Sequence, residues 1–334
     1  MVKTLVYVFF IVKLGLLANT AMAQQAKPAE PGATSRTLTL HDVRQKYASA
    51  ASMFVDIEGI NVHYRDEGKG PVLLLVHGTL GDVMDWDGWV QELKSDFRII
   101  RFDIPGFGLS GQIPNNNYSI ERMKVLIDGL MDYLVIDRFA MVGISYGGLV
   151  TFRYAATRTD RVSSMILINS AGVQYGKKVK SKQDNNDKPK KNMFVEPVVT
   201  SKDVETFYEA YINDPAKRTA TFIQRKLDFM NIVGRDSEAK QAYAFYERND
   251  PFRVLAHVRA PSLVMWGAGN KALDTQTASL FIDALKNACT TQLVTFDQGG
   301  HYINVERPED TANAAKAFLL GLKNNPPASC KAAH

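Results

Sequence analysis

Short apolar runs alternate with amphipathic stretches along most of this chain. The apolar runs have the length and residue types of β-strands, and glycine or proline bounds several of them. They cover residues 53–57, 60–65, 72–76, 98–103, 139–142, 165–169, 262–266 and 292–296. Helical periodicity is clearest at residues 86–93, 120–134, 146–157, 275–287 and 308–322. Strands that alternate with helices predict an α/β protein with a mostly parallel, eight-stranded sheet and helices on both faces.

One stretch interrupts the alternation. Residues 173–250 show no buried strand pattern; they begin with seven lysines between positions 177 and 191 and continue into amphipathic segments. We expect a helical insertion above the sheet, with the lysine run as a solvated segment or, alternatively, as a contact for an anionic surface. The remaining predicted boundaries are 24–52 for a linker and N-terminal helix, 53–172 and 251–325 for the core, and 326–334 for a C-terminal tail.

Residues 1–23 have the pattern of an export signal. Lys3 precedes an apolar stretch at 5–17, and Ala21-Met22-Ala23 forms a small-x-small cleavage sequence. The apolar stretch is shorter than the ~20 residues of a membrane-spanning helix, and Lys13 interrupts it. We therefore expect a periplasmic or secreted protein. The alternative is a membrane-anchored protein whose N-terminal segment is not cleaved.

Composition excludes several classes of protein. The 334 residues are 46% hydrophobic and 22% charged, which argues against a disordered chain, a collagen-like repeat and a polytopic membrane protein. A formal net charge of +5 does not indicate nucleic-acid binding. Cys289 and Cys330 are too few for a disulfide framework or a cysteine-rich zinc protein. In an oxidising compartment these two cysteines either pair or stay free, because the sequence fixes no distance between them.

A candidate nucleophile lies between a predicted strand and a predicted helix. The sequence Gly143-Ile144-Ser145-Tyr146-Gly147 is a Gly-x-Ser-x-Gly elbow in the strand–turn–helix context that the motif requires. Glycines are needed because side chains at 143 and 147 would collide with neighbouring backbone. The turn lifts the serine hydroxyl above the sheet, and the helix that follows points its N-terminus at the site. We identify Ser145 as the candidate nucleophile.

A serine hydroxyl needs a neighbouring base, and His301 is the histidine in a suitable position. It follows Gly299-Gly300 after the last predicted strand, so it lies at the carboxyl end of the sheet, where catalytic groups of open α/β sheets gather. His257 precedes its strand and belongs at the opposite edge.

The loop after the strand at 72–76 supplies candidate oxyanion donors. His77-Gly78-Thr79 follows that strand, and a glycine there lets the chain turn so that a backbone N–H faces the nucleophile. The N–H groups of Thr79 and Tyr146 are the best candidates, with Leu80 as a further option. We expect His77 to hold this loop by hydrogen bonds rather than to transfer protons.

Four motifs in this order resemble the α/β-hydrolase fold family, in its esterase/lipase and haloperoxidase-like branch. They are His77-Gly78, the segment 101–110, the serine elbow and Gly299-Gly300-His301, and the resemblance extends from about residue 54 to residue 322. It implies an α/β-hydrolase sheet with a helical lid inserted after the sixth strand, where residues 173–250 fall. It also implies a structural role for Asp103, in the family's Asp-x-Pro-Gly-x-Gly turn.

The chain departs from the family pattern at the residue that orients the histidine. These enzymes usually carry an aspartate three residues beyond the glycine of Trp266-Gly267, and this chain has Asn270 there. The nearest acid on the same loop is Asp274, which we predict to be the third catalytic residue. Asn270 is the alternative orienting residue. A carboxylate just after the sixth strand is another family arrangement, but that position is Asn169.

These residues imply an exported serine hydrolase that cleaves carboxylic esters of small molecules or lipids. Ser145 would form an acyl-enzyme, with His301 as general base. Carbon–carbon bond hydrolysis or a haloperoxidase-like activity on the same fold are alternatives. A non-catalytic binding protein on a hydrolase scaffold is an alternative from another class, which Asn270 favours. We expect no metal, no organic cofactor and no nucleic-acid partner, and membrane contact only of a transient kind.

Overall fold

The computed structural model describes residues 36–173, 199–235 and 250–331. The predicted export signal at 1–23 and the lysine run at 177–191 lie outside these ranges. None of the helices within them is long and apolar enough to cross a membrane.

Eight strands form one sheet, as the hydrophobic pattern predicts. They are β1 (Met53–Ile57), β2 (Ile60–Gly68), β3 (Val72–Val76), β4 (Arg98–Phe102), β5 (Phe139–Ile144), β6 (Val162–Ile168), β7 (Ser262–Gly267) and β8 (Thr291–Phe296). Their order is β1-β2-β4-β3-β5-β6-β7-β8, with β2 antiparallel to both of its neighbours and all other pairs parallel. Every residue of β5 and β7 is buried, so both faces of the sheet are covered.

The described helices fall mainly where the periodicity predicts them. They are α1 (Leu40–Tyr47), α2 (Asp87–Leu93), α3 (Ile120–Tyr133), α4 (Tyr146–Thr157), α5 (Ser201–Tyr211), α6 (Ala220–Met230), α7 (Pro251–Leu255), α8 (Gln276–Ala284), α9 (Ile303–Glu306), α10 (Pro308–Asn324) and α11 (Ala328–Lys331). Short 3-10 helices cover Val83–Trp86 and Pro215–Lys217. The carboxyl ends of β3, β5 and β8 lead into the loops that carry Thr79, Ser145 and His301.

The described part of the insertion between β6 and β7 is helical, in agreement with its amphipathic pattern. It contains α5 and α6, and each begins at a threonine whose side chain accepts a hydrogen bond from the first helical turn. The rest of the segment predicted at 173–250, residues 174–198 and 236–249, lies outside the described residues.

A buried group of four charges joins α6 to the segment after β3. Lys226 Nζ donates to Asp82 and to both oxygens of Asp85, each at 2.7 Å, and Arg225 contacts the same two carboxylates at 3.1 and 3.0 Å. Burial raises the pKa of Asp85, and the Asp82 charge adds to the rise. At Asp82 the cations outweigh burial, so its pKa is lowered. The network fixes the insertion to the sheet at a point a few residues from Thr79.

The two cysteines are paired. Cys289, just before β8, forms a disulfide with Cys330 in α11, with the Cα atoms 4.9 Å apart. Of the two states that the sequence leaves open, the structure has the bonded one, which ties the C-terminal tail to the body of the domain.

Candidate active site

Ser145 occupies a strained turn between β5 and α4. Its backbone has φ 53° and ψ −118°, a conformation that residues other than glycine rarely adopt. Its N–H donates to the carbonyl of Ile168 at 3.1 Å, and its carbonyl accepts from the N–H of Ala171 at 2.9 Å. These bonds to β6 and the loop after it hold the turn.

The two glycines of the elbow are required by close backbone contacts. A Cβ on Gly143 would lie 2.2 Å from the Gly147 carbonyl oxygen, and a Cβ on Gly147 would lie 2.3 Å from the Val76 carbonyl oxygen. No side chain fits at either distance, so the turn can form only with glycine at both positions. The steric argument made from the sequence is confirmed.

The loop after β3 is fixed by His77. Its Nδ1–H donates to the Gly78 carbonyl at 2.8 Å, and its Nε2 accepts from the N–H of Ile104 at 2.9 Å. Because one nitrogen donates and the other accepts, the ring is neutral. Burial lowers the pKa of His77, which also favours the neutral form. His77 therefore has the loop-holding geometry that the sequence led us to expect.

Asp103 has the contacts of a structural carboxylate. It is fully buried, its Oδ1 accepts from the N–H of Val83 at 2.8 Å, and its Oδ2 contacts the N–H of Leu109 and His63 Nδ1, each at 2.7 Å. These bonds join β2, the loop after β3 and the turn after β4. These side-chain contacts are to residues of the sheet and its connecting loops, and none is to Ser145 or His301.

His301 lies in a buried loop after β8 and lines the same pocket as Ser145. Its N–H donates to the Tyr211 carbonyl at the end of α5 at 2.8 Å, and its carbonyl accepts from Asn169 Nδ2 at 2.7 Å. Within the described part of the chain, no hydrogen bond joins its ring to the Ser145 hydroxyl. Such bonds are often loose in unliganded sites and tighten when substrate binds.

The His301 ring has no anionic partner among the described residues. Its Nδ1 is buried without a hydrogen-bond partner. Burial lowers the pKa of the ring from 6.5 to about 3, because nothing nearby balances the charge of the imidazolium. At neutral pH the ring is a neutral imidazole.

The structure does not bring Asp274 to His301, so the predicted Asp274–His301 pair is absent. The Asp274 side chain is exposed, and its Oδ1 accepts from the N–H of Gln276 at 2.8 Å in the first turn of α8. That bond satisfies a helix N-terminus, which is a common role for an aspartate at this position. The carboxylate therefore stays on the solvent side of the loop.

Asn270 is the residue of that loop that turns inward. It is 8% exposed, and its Oδ1 accepts from the N–H groups of Ala272 and Leu273 at 3.0 and 3.1 Å. Its Nδ2, like His301 Nδ1, is buried and has no hydrogen-bond partner among the described residues. The two loops are joined, since the Gly269 N–H donates to the Gly299 carbonyl at 2.9 Å.

Comparison with known proteins agrees with this geometry. Residues 71–308 match the family model described as alpha/beta hydrolase fold. The chain belongs to the alpha/beta hydrolase fold family. Its resemblance to that family, inferred from four motifs, is thereby confirmed.

Several similar proteins are named as hydrolases of 2-hydroxy-6-oxo-dienoates. The chain is 24% identical over 282 residues to a 2-hydroxy-6-oxononadienedioate/2-hydroxy-6-oxononatrienedioate hydrolase of Pseudomonas putida, covering 80% of this chain and 96% of that one. It is 25% identical over 298 residues to a 2-hydroxy-6-oxo-6-(2'-aminophenyl)hexa-2,4-dienoic acid hydrolase of Metapseudomonas resinovorans, covering 83% and 94%. Among solved structures, a bacterial membrane phospholipase A matches with a TM-score of 0.71 and 25% identity, over 85% of this chain and 91% of that one.

Asn169 is a buried residue beside the candidate site whose contacts the sequence did not predict. It follows β6, is fully buried, and its Nδ2 donates to the carbonyls of Gly300 and His301 at 3.1 and 2.7 Å. Its Oδ1 accepts from the Gly267 N–H at 3.0 Å. Asn169 thus ties the ends of β6 and β7 to the histidine loop. The signal available in the sequence was an amide side chain at the carboxyl end of a predicted buried strand.

The pocket at the serine is small, and its described walls combine polar groups with three aromatic side chains. Its volume is about 100 Å³, and Thr79, Ser145, Ala171, Phe207, Tyr211, Ala272, Leu273, His301 and Tyr302 line it. Phe207 and Tyr211 stack on the same side of α5 with ring centroids 4.2 Å apart. These aromatic residues come from the insertion and from the position after the histidine, and the sequence alone did not identify them as pocket residues.

Proposed function

We propose that this member of the hydrolase family uses Ser145 as nucleophile and His301 as general base on a substrate carbonyl. The observation that carries the proposal is the convergence of the strained elbow, His301 and the Thr79 loop on one pocket. Ser145 Oγ adds to the carbonyl carbon while His301 Nε2 takes its proton. The N–H groups of Thr79 and Tyr146 then stabilise the oxyanion of the tetrahedral intermediate.

The intermediate collapses as His301 gives its proton to the leaving group. An acyl-enzyme on Ser145 remains, and water activated by the same imidazole hydrolyses it. The leaving atom is oxygen in an ester and carbon in a ketone whose carbanion is stabilised by conjugation. The same side chains serve both reactions, so substrate binding decides between them.

Hydrolysis of a carbon–carbon bond is the first candidate reaction. The two dienoate hydrolases described above align with 80 and 83% of this chain and with 96 and 94% of their own length. Identities of 24 and 25% leave the individual dienoate open. We propose a conjugated 6-oxo-dienoate as the substrate class.

Ester hydrolysis is the second candidate. It is supported by the likeness to a membrane phospholipase A at 25% identity and by aromatic and aliphatic pocket walls, which suit a small acyl group. The described part of the insertion contributes Phe207 and Tyr211 to this pocket, and we propose that residues 173–250 act as a lid over it.

Two substrates and one covalent probe test the proposal. Purified protein is offered a p-nitrophenyl ester series and a conjugated 2-hydroxy-6-oxo-dienoate, whose visible absorbance disappears on cleavage, and a fluorophosphonate is used to label the serine. We expect turnover of the dienoate to exceed that of the esters. Ser145→Ala should reduce turnover by ~10³-fold or more and abolish labelling. The exposed Ser95→Ala is the matched control. Full activity in Ser145→Ala would exclude the proposed nucleophile.

We further propose that the protein is exported and that the signal is cleaved after Ala23. The pairing of Cys289 with Cys330 supports an oxidising compartment. N-terminal sequencing of protein from the producing cell should begin at Gln24. A sequence that begins at Met1, in a membrane fraction, would favour the anchored alternative.

A further inference from the structure

Two tyrosine hydroxyls donate hydrogen bonds to the candidate oxyanion loop. Tyr302, the residue after His301, donates from its hydroxyl to the Thr79 carbonyl. Tyr208, from α5 in the insertion, donates from its hydroxyl to the Leu80 carbonyl at 3.0 Å. Both rings are buried, and their centroids lie 5.9 Å apart. Two successive carbonyls of one loop are thus held by side chains from two distant segments.

Hydrogen bonds hold both of the peptides that flank the Thr79 Cα. In a trans peptide the carbonyl and the N–H point in opposite directions. The carbonyl of Gly78, in the peptide that carries the Thr79 N–H, is held by His77 and by the Gly81 N–H at 2.9 Å. The carbonyl of Thr79 is held by Tyr302. Both peptide planes around the Thr79 Cα are therefore fixed.

The loop needs such restraint because its backbone is strained. Leu80 has φ 61°, in the left-handed region that is unfavourable for a residue other than glycine. Without the hydroxyl bonds to the carbonyls on either side of its Cα, Leu80 can relax to another backbone conformation. That change would rotate the peptide that joins Leu80 to Thr79. Burial raises the pKa of Tyr208 well above its usual value, so this hydroxyl remains a neutral donor.

We propose that Tyr302 and Tyr208 are positioning residues for the oxyanion hole. They act through the Thr79 N–H and do not bond to the oxyanion themselves. Tyr302 also joins this hole to the base, because its own N–H and that of His301 donate to the Tyr211 carbonyl at 3.1 and 2.8 Å. The inference rests on the proposed function, since it requires that Ser145 attacks a carbonyl.

Tyr302→Phe and Tyr208→Phe test the proposal without requiring the natural substrate. The rate constant for fluorophosphonate labelling of Ser145 should fall about 10- to 100-fold in each variant, somewhat less than the ~10²–10³-fold that follows loss of an oxyanion donor. Protection from labelling by butaneboronic acid, which becomes tetrahedral on the serine, should weaken by a similar factor. Protection by butyrate, which resembles a planar ground state, should change less than about threefold.

Tyr154→Phe is the matched control. Its hydroxyl bonds to Asp128 at 2.8 Å in a site remote from the loop, so labelling and boronate affinity should not change. If Tyr208→Phe does not fold, as judged by its melting temperature, Tyr302→Phe alone decides. Unchanged labelling in Tyr302→Phe overturns the inference, and so does an equal weakening of boronate and butyrate. Failure of the wild-type protein to label at Ser145 would instead refute the proposed function.

Discussion

Asn270→Asp should give the His301 ring a carboxylate partner, which it lacks among the described residues. In a serine triad the carboxylate accepts the Nδ1–H of the histidine and leaves Nε2 free to take the serine proton. In this chain the Asn270 amide has its oxygen committed to the N–H groups of Ala272 and Leu273, so it presents N–H donors on its other side. An amide N–H placed against His301 Nδ1 would favour the tautomer that is protonated at Nε2, and that tautomer cannot act as the base.

The structure sets the size of the expected gain. Burial lowers the pKa of His301 from 6.5 to about 3, which corresponds to about 5 kcal/mol against formation of the imidazolium. The change from aspartate to asparagine in a serine triad costs ~10⁴-fold in kcat, which is an upper limit for the reverse change here. We expect kcat/KM to rise by about 10²-fold, which requires the introduced carboxylate to keep the two backbone bonds and to reach His301 Nδ1 with its second oxygen.

The pH dependence of the rate distinguishes this explanation from a general improvement in packing. A carboxylate beside the ring raises the pKa of His301, so the acidic limb of kcat/KM should move from near pH 3 toward neutrality. The assay is initial-rate hydrolysis of p-nitrophenyl butyrate from about pH 4 to about pH 9, with labelling by a fluorophosphonate as a second measure of serine reactivity.

Two variants provide controls for the asparagine change. Asn169→Asp is the same chemical change at another buried asparagine, where it would place a carboxylate against the carbonyls of Gly300 and His301; it should lower both activity and stability. Asp274→Asn should change kcat less than about threefold, because that side chain only bonds to the start of α8. A loss of activity in Asn270→Asp with an unshifted acidic limb, or a ~10²-fold loss in Asp274→Asn, would refute the reasoning.

Three further predictions concern stability. Below pH 6.5, His301 stays unprotonated in the folded protein while the unfolded chain takes up a proton. The free energy of unfolding should therefore be about 2 kcal/mol lower at about pH 5 than above pH 6.5. In urea unfolding, His301→Gln should lack this part of the pH dependence. Lys226→Met leaves the buried carboxylates of Asp82 and Asp85 with one cation fewer, and it should lower the free energy of unfolding in urea by about 3–5 kcal/mol. An unchanged free energy of unfolding would show that the network does not stabilise the fold. Cys330→Ser opens a link spanning 41 residues and should cost up to ~4 kcal/mol, and dithiothreitol should then lower the melting temperature of the wild-type protein only.

The sheet could be predicted from sequence because its signals are local. The eight strands have the predicted positions, and the differences are at their ends: β2 continues to Gly68 and β6 begins at Val162. Both additions pair with neighbouring strands, Gly68 with Arg98 and Val162 with Phe139. Such pairing extends a strand beyond its apolar run. Helix α1 ends at Tyr47, because Ala48 is already extended.

The candidate nucleophile and the candidate base could be placed for the same reason, whereas the contacts around them could not. Ser145 and His301 each sit in a short motif with its own glycines. The bonds from Tyr208 to Leu80 and from Asn169 to His301 connect residues 128 and 132 positions apart, and no spacing in one sequence indicates them. The prediction for Asp274 failed because an acid on a loop can face solvent or the site, and the hydrogen bond to Gln276 selects solvent.

The bond between His301 and helix α5 has a consequence for how substrate preference can change. The group on α5 that accepts from the histidine loop is the main-chain carbonyl of Tyr211, while the ring of the same residue forms a wall of the pocket. A backbone acceptor is present whatever side chain the position carries. In evolution or in a mutant library, the side chains at positions 207 and 211 can therefore change the pocket wall while the backbone hydrogen bond to His301 is retained.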